Sequence, residues 1–257
     1  MKQITGFFMA WGCFCTIPCP SKKWNEESRN WMLFMLPFVG VLIGGINGIV
    51  LGIGTKVEIP SMIMAAVITS IPFLLSGFIH LDGYMDCNDG ILSRKPLEDR
   101  QRILKDSRVG AFAVIMAILL FLFMFAGSYE IIQKINYQRI IVLGSIPYIT
   151  RFIAILEVFF SRPMGTSQYA KSFLDGEKRT CAIASLVVHT MVILVAVVSM
   201  SIAGFGYKMV LTYGVVIIGQ VIAASYAKKQ LGGMNGDVSG YSISYGELIG
   251  VLYLAII

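Results

Sequence analysis

The chain has 257 residues, of which 56% are hydrophobic and 14% are charged, whereas about a quarter of the residues in a soluble domain are charged. This composition excludes an ordinary soluble domain and predicts an integral membrane protein. The net charge of +6 would suit nucleic acid, but the cations cluster in loops at the ends of apolar segments, which is the pattern of a protein oriented in a bilayer. We therefore expect a lipid bilayer, and no nucleic acid, among its partners.

The apolar segments predict an all-α, polytopic membrane helical bundle, because a helix of roughly 20 residues crosses the hydrocarbon core. We expect about six to seven transmembrane helices plus short interfacial helices, including one at the N-terminus, in a single domain over residues 1–257. The predicted spans are 31–53, 59–79, 111–126, 140–160, 181–202 and 209–224, followed by a 13-residue helix over 245–257.

Residues 80–110 are the most polar part of the chain and lie between the second and third predicted spans. Asp82, Asp86 and Asp89 recur at i, i+4 and i+7, so they share one helical face if the second helix continues through them. Three like charges beside a low-dielectric layer repel each other unless protons or a cation neutralise them. Mg²⁺ takes oxygen ligands and keeps positions open for phosphate. The pattern predicts a carboxylate-held metal site at a membrane surface, with a solvated acidic loop as the alternative.

Six basic residues follow these acids, and Arg and Lys neutralise phosphate oxygens. Of these, Arg94 and Arg108 are candidates for holding phosphate, with anchoring at the membrane surface as the alternative. Asp106 is a candidate for a further metal ligand or the catalytic base, unless it is merely an exposed partner of Arg102. The six basic residues are Arg94, Lys95, Arg100, Arg102, Lys105 and Arg108.

Other polar residues interrupt the apolar pattern. Arg151 and Glu157 lie inside the fourth predicted span, where each is expected to meet a partner on another helix, in a structural or a substrate-facing role. Helical spacing turns His80 away from the Asp82 face, so packing or contact with substrate are both open. His189 is expected to be a hydrogen-bonded core residue. The glycine-rich loop over 231–237 would let backbone amides approach phosphate, or would be a flexible connector.

The distribution of Lys and Arg predicts the orientation in the membrane. Four lie in the N-terminal region, six in 80–110, four in 161–179 and two in 226–244, and in the predicted layout all sixteen face one side. The opposite loops hold only four. By the positive-inside rule, the polar loops face the cytoplasm, and the chain is a multi-pass protein of the inner (cytoplasmic) membrane.

Two alternative functions follow from partial patterns. Residues 86–94, Asp-x-x-Asp-Gly-x-x-Ser-Arg, resemble the first half of the signature of the CDP-alcohol phosphotransferases of phospholipid synthesis, but the second half, Gly-x-x-x-Asp-x-x-x-Asp, is absent. A membrane transporter built on Arg151 and Glu157 is the other alternative. The acids lie at one membrane face, however, and transporter sites lie near the midplane.

A closer resemblance covers nearly the whole chain: its motifs, in family order, look like those of the cobalamin synthase family, adenosylcobinamide-GDP ribazoletransferase. The matching blocks are Leu36-Pro37-Phe38-Val39-Gly40 with Ile43-Gly44, His80-Leu81-Asp82-Gly83-x-x-Asp86-x-x-Asp89-Gly90, Lys105-Asp106-Ser107-Arg108-x-Gly110-Ala111, Arg162-Pro163-x-Gly165, and Leu231-Gly232-Gly233-x-x-Gly236-Asp237 with Glu247.

This resemblance implies a Mg²⁺-dependent transferase whose partners are adenosylcobinamide-GDP and α-ribazole or its 5′-phosphate. The ribose 3′-hydroxyl attacks the cobinamide-linked phosphorus, and GMP leaves. The oligomeric state stays open, a homo-oligomer included. The implied catalytic residues are Asp82, Asp106 and Arg108; the implied metal ligands are Asp82, Asp86, Asp89 and Asp106; the implied substrate-binding residues are His80, Arg94, Lys105, Arg151, Arg162, Gly236, Asp237 and Glu247.

Overall fold

A computed structural model describes residues 2–165 and 176–257. Over these ranges the chain forms ten α-helices, and a short 3₁₀ turn, Glu26–Ser28, leads into the second of them. Part of the polar loop after the fourth predicted span, residues 166–175, lies outside the described residues. The helices are α1 (Lys2–Phe14), α2 (Arg29–Lys56), α3 (Ser61–Leu75), α4 (Ile79–Leu92), α5 (Leu97–Ile103), α6 (Ala111–Gln133), α7 (Tyr137–Phe160), α8 (Gly176–Ile202), α9 (Gly206–Leu231) and α10 (Gly236–Ile256).

The predicted all-α membrane bundle is confirmed. Within the described ranges, five helices are long and apolar enough to cross a membrane, namely α2, α6, α7, α8 and α9, and the bent pair α3 and α4 makes a sixth if it counts as one span. The predicted 13-residue final helix is wrong. α10 has 21 residues and begins at Gly236, because Asn235 caps it and its polar residues, such as Ser242 and Glu247, are buried against neighbouring helices.

The second predicted span does not continue through the acidic residues. α3 and α4 meet at an angle of 90°, because Gly77 and Phe78 both adopt the left-handed conformation, at φ values of 62° and 61°. Thr16, in the loop after α1, satisfies the carbonyl groups at the end of α3: its N–H donates to Leu75 O at 2.8 Å and its Oγ1 to Leu74 O at 3.0 Å. The three acids still share one helix, but that helix is the short α4.

The glycines of α2 allow this helix to approach its neighbour closely. A side chain at Gly44 would overlap the backbone of Gly144, and one at Gly40 would overlap the backbone of Pro147. The backbones of α2 and α7 are therefore in direct contact where the two helices cross. α8 is tied to the same pair, since His189 hydrogen-bonds to Tyr148 Oη at 2.8 Å and to the carbonyl oxygen of Phe34 at 3.0 Å, as expected of a core histidine.

α10 packs against α4, α6, α7 and α9, and cations hold its C-terminal end. Lys134 Nζ donates to Ala255 O at 2.9 Å, Arg139 Nη1 to Leu254 O at 2.6 Å, and Lys208 Nζ to Ile257 O at 2.8 Å. Positive charge at this end is favourable because the last carbonyl groups of a helix have no partner within it and carry partial negative charge. The N-terminal end of α10 lies at the other face of the bundle, beside the acidic residues of α4.

Candidate active site

The first turn of α10 lies directly against α4. A side chain added at Gly83 would come within 2.8 Å of the Asp237 backbone, and one added at Gly240 would come within 2.8 Å of the His80 carbonyl oxygen. These two glycines let the helix backbones touch, so Asp237 comes to lie beside the acids of α4. The sequence placed Asp237 among the substrate-binding residues and did not predict that it joins the acidic cluster.

Four carboxylates therefore form one acidic cluster, defined as Asp82, Asp86, Asp89 and Asp237. The charges of Asp82, Asp237 and Asp89 all act on Asp86, and that of Asp82 acts on Asp237. Among the described residues, no ion pair to Lys, Arg or His neutralises any of the four. Of these four side chains, that of Asp237 alone has a hydrogen-bond partner in the described part of the chain, Asn235 Nδ2 at 2.7 Å. The cluster carries concentrated and unbalanced negative charge.

The acidic cluster fits a hard divalent cation in the kind of ligand and in charge, since such ions take carboxylate oxygens. As the side chains stand, no three His, Cys, Asp or Glu residues of the described ranges are grouped closely enough to hold a metal ion. Binding a cation thus requires these carboxylates to rotate toward a common centre. Asp side chains have few rotatable bonds, and repulsion between them favours separated positions when no cation is bound.

A glycine of another matching block, the one over residues 105–111, leaves room for one carboxylate of the acidic cluster. Gly110 is the residue before α6 and has an ordinary φ of −85°, so its backbone does not require glycine. A side chain at this position would nevertheless overlap the carboxylate of Asp89. Asp89 therefore lies against the first turn of α6, where the helix dipole favours negative charge.

We expect Gly110→Ala to displace the Asp89 carboxylate and to raise the Mg²⁺ concentration needed for half-maximal activity by about 10-fold or more, the order of effect seen when the support of a metal ligand is lost. Titration of activity with Mg²⁺ measures the change. Gly45→Ala is the matched control, because nothing lies within 4 Å of a side chain added there. An unchanged Mg²⁺ titration for Gly110→Ala would exclude Asp89 as a ligand that depends on this contact.

Asp106 lies in the loop after α5, which ends at Ile103. Its partner is Arg108, whose Nη2 is 2.7 Å from Oδ2, and Arg102 pairs with Asp99 instead, at 3.2 Å. Hydrogen bonds from the side chain and backbone of Arg108 lower the pKa of Asp106 to about 2. A carboxylate with that pKa is a weak base, so the ion pair must open before Asp106 accepts a proton.

The other predicted basic residues differ in whether they already bind a group of the protein. Arg94, Lys105 and Arg162 are exposed and, within the described ranges, form no ion pair, so they are free to meet an anion. Arg100 instead holds α5 against the end of α9, donating from Nη1 to the carbonyl oxygen of Gln230 at 3.2 Å and to its side-chain oxygen. Arg100 thus binds another part of the protein and is not available to phosphate in this arrangement.

The glycine-rich loop before α10 is held in place and is not a free connector. The N–H of Met164 donates to Met234 O at 2.8 Å, and the N–H of Met234 donates to Arg162 O at 2.9 Å. Gly233 allows this pairing, because a side chain there would come within 2.7 Å of the Met164 backbone nitrogen and its φ is 149°. Two of the sequence blocks, around Arg162 and Gly232, therefore meet beside the acidic cluster.

The charged residues within the spans are paired across helices, as expected. Arg151 Nη1 of α7 is 2.7 Å from Glu247 Oε1 of α10, and the two side chains are 1% and 7% exposed. Glu157 accepts a hydrogen bond from Ser242 Oγ at 3.0 Å. Arg151 and Glu247 thus bind each other, and the substrate-binding role that the resemblance implies for both stays a prediction.

His80 is buried at the start of α4, two residues before Asp82. It is 7% exposed, stacks on Phe14 with ring centroids 6.0 Å apart, and its buried Nε2 has no hydrogen-bond partner within the described ranges. His80, Asp82 and Asp237 all line one cavity of about 200 Å³. That His80 faces away from Asp82 stays a prediction, and the two residues contribute to one cavity from neighbouring positions at the start of α4.

The sequence was compared with known proteins. The family model described as cobalamin-5-phosphate synthase matches residues 6–255. A protein of Clostridium perfringens named adenosylcobinamide-GDP ribazoletransferase is 36% identical over 97% of this chain and 96% of its own length. One of the same name from Clostridium botulinum is 30% identical over 98% and 97%, and one from Lachnoclostridium phytofermentans is 27% identical over 100% and 95%.

No solved structure matches the chain. The family match begins within α1 and extends into the last turn of α10, and it includes all four members of the acidic cluster. The match supports neither of the two alternative functions, the CDP-alcohol phosphotransferase and the membrane transporter. The chain belongs to the cobalamin-5-phosphate synthase family and is a membrane transferase of cobalamin biosynthesis.

Proposed function

We propose that the protein transfers the adenosylcobinamide phosphate group of adenosylcobinamide-GDP to α-ribazole, or to α-ribazole 5′-phosphate, and releases GMP. The name of its relatives, adenosylcobinamide-GDP ribazoletransferase, supports adenosylcobinamide-GDP and ribazole as the substrates. The observation that carries the proposal is the acidic cluster, in which three carboxylates of α4 and one from the first turn of α10 have no cationic partner among the described residues. Transfer from a diphosphate requires positive charge next to the reacting phosphorus. A cation bound by the acidic cluster would provide it.

The reaction makes and breaks one bond to phosphorus. The ribose 3′-hydroxyl oxygen of the acceptor bonds to the cobinamide-linked phosphorus, and the bond from that phosphorus to the bridging oxygen breaks. GMP leaves with the bridging oxygen, and the hydroxyl proton passes to a base. Such a transfer depends on in-line positioning and charge neutralisation rather than on a covalent intermediate with the protein.

The chain's own residues can provide both the positioning of the substrate and the neutralisation of its charge. Arg94, Lys105 and Arg162 have exposed side chains, and their positive charge suits phosphate oxygens. The first N–H groups of a helix have no partner within it, so the turn of α10 at Gly236 suits a phosphate as well. Mg²⁺ held by the acidic cluster would neutralise diphosphate oxygens and fix their orientation.

Asp106 is the candidate for a further metal ligand or for the base. Arg108 holds it as a weakly basic carboxylate in the present arrangement. A phosphate that draws Arg108 away would release the Asp106 carboxylate at the moment when the substrate is bound. The proton acceptor would then appear only in the substrate complex, with Arg108 on the phosphate.

We also propose that the site faces the cytoplasm and that the protein lies in the inner membrane. The excess of Lys and Arg on the side of the acidic cluster supports this orientation. On the opposite side, Lys134, Arg139 and Lys208 are bound to the carbonyl groups at the end of α10. These three cations have a structural reason for their location, so they do not weaken the charge asymmetry.

The test uses purified protein in detergent with adenosylcobinamide-GDP, α-ribazole and Mg²⁺. We expect GMP and adenosylcobalamin to form in equal amounts, a chelator to stop both, and added Mg²⁺ to restore both. Leaving out the acceptor is expected to stop GMP release, which separates transfer from hydrolysis. Formation of neither product with either acceptor would overturn the proposed function.

A further inference from the structure

The cavity beside the acidic cluster is lined by polar side chains of α4 and α10 and by apolar side chains of α1, α2 and α7, and these two sets of residues are called its polar end and its apolar end. His80, Asp82, Asp237 and Ser239 line the polar end, and Asp82 and Asp237 belong to the acidic cluster as well. The buried Nε2 of His80 has no hydrogen-bond partner among the residues that the structure describes, which is costly unless a ligand provides one. The polar end therefore connects directly to the place where the reacting groups are expected.

The apolar end lies inside the bundle. Its walls come from three helices: Phe14 of α1, Leu33 and Leu36 of α2, and Ile155 and Val158 of α7. Four of these side chains are almost completely buried, and Phe14 stacks on His80. A flat apolar ring fits such a wall, because it gains dispersion contacts and leaves no polar atom unsatisfied.

We propose that this cavity binds the aromatic base of the acceptor nucleoside, a benzimidazole-type ring, and so determines which lower base is accepted. The inference rests on the proposed function and adds to it a binding site for one of the two substrates. With the base against the apolar wall, the ribose lies at the polar end, and its hydroxyl groups reach the acidic cluster. The free ring nitrogen of the base provides the partner that His80 Nε2 lacks.

Size and polarity exclude the other parts of the substrates. The cavity of about 200 Å³ is smaller than the roughly 300–1,000 Å³ of sites for drug-sized ligands, so the corrin macrocycle does not enter it. Guanine is small enough, but its donors and acceptors on several edges would meet the side chains of Leu33, Leu36, Ile155 and Val158. Unsatisfied polar groups in such a wall are unfavourable, so the guanosine moiety is expected elsewhere.

The test measures selectivity between two acceptors, the ribosides of 5,6-dimethylbenzimidazole and of unsubstituted benzimidazole. Val158→Leu adds one methylene to the apolar wall. We expect it to lower the ratio of kcat/KM for the dimethylated over the unsubstituted acceptor by about 10-fold or more, since one methylene in an apolar pocket discriminates by roughly 10–200-fold. Leu36→Ala enlarges the cavity and is expected to shift selectivity the other way, toward a riboside with a larger fused ring.

The matched control is Val142→Leu, the same change at another buried position of α7 that does not line the cavity. Its selectivity ratio is expected to equal that of the wild type. A ratio within one variant does not depend on how much protein is folded, so partial misfolding leaves the test valid. Wild-type turnover with unchanged ratios in both cavity variants would overturn the base site alone, whereas absence of wild-type turnover would overturn the proposed function.

Discussion

Asp86→Asn is expected to lower the rate of GMP release by about 10²–10³-fold, the usual cost of removing one preorganised charge-stabilising group, while the protein keeps its fold. Asparagine has nearly the same shape but no charge. Asp86 is the member on which the charges of the other three carboxylates act, so its removal relieves repulsion. In Mg²⁺-free buffer the variant is therefore expected to unfold at a Tm equal to or above that of the wild type.

Addition of Mg²⁺ separates this prediction from a general loss of structure. A ligand that binds only the folded state raises Tm with its concentration, so Mg²⁺ is expected to raise the Tm of the wild type more than that of Asp86→Asn. Asp99→Asn is the matched control on the neighbouring helix α5, where Asp99 forms an exposed pair with Arg102 at 3.2 Å. Near-normal turnover by Asp86→Asn, or a large fall in its Mg²⁺-free Tm, would contradict a cation-binding role for Asp86.

The positions of the membrane-spanning helices could be predicted from hydropathy, because the length of an apolar segment depends only on consecutive residues. The spans that became α6 and α7 were located to within a few residues at their starts. The bend between α3 and α4 could not be predicted in this way, since Ser76, Gly77 and Phe78 interrupt the apolar pattern too briefly. Hydropathy reports burial in lipid and carries no information on the direction of the chain.

The acidic residues of α4 could be predicted as a group for the same reason: their spacing is local to one helix. The contribution of Asp237 could not, because it depends on the contact between α4 and α10. Gly83 and Gly240 were the available signal, as small residues permit close helix packing. Each occurs in a chain with 26 glycines, however, and nothing in the sequence shows which glycines face one another.

Arg151→Met is expected to lower the free energy of unfolding by about 3–5 kcal/mol, the usual effect of leaving one member of a buried ion pair unpaired. Both side chains are almost completely buried and their charged atoms are 2.7 Å apart. The single variant would leave the Glu247 carboxylate inside the bundle without its cation. Chemical unfolding in detergent measures the change, and Glu247→Gln is expected to have an effect in the same direction.

The double variant Arg151→Met/Glu247→Leu distinguishes a structural pair from a substrate-binding pair. Replacing both charges by apolar side chains removes the unpaired charge, so most of the lost stability is expected to return. Arg102→Met is the control for an exposed pair and is expected to change stability by less than about 1 kcal/mol. If instead Arg151→Met unfolds like the wild type and loses only affinity for adenosylcobinamide-GDP, the pair opens to meet substrate, and the role implied by the family resemblance is correct.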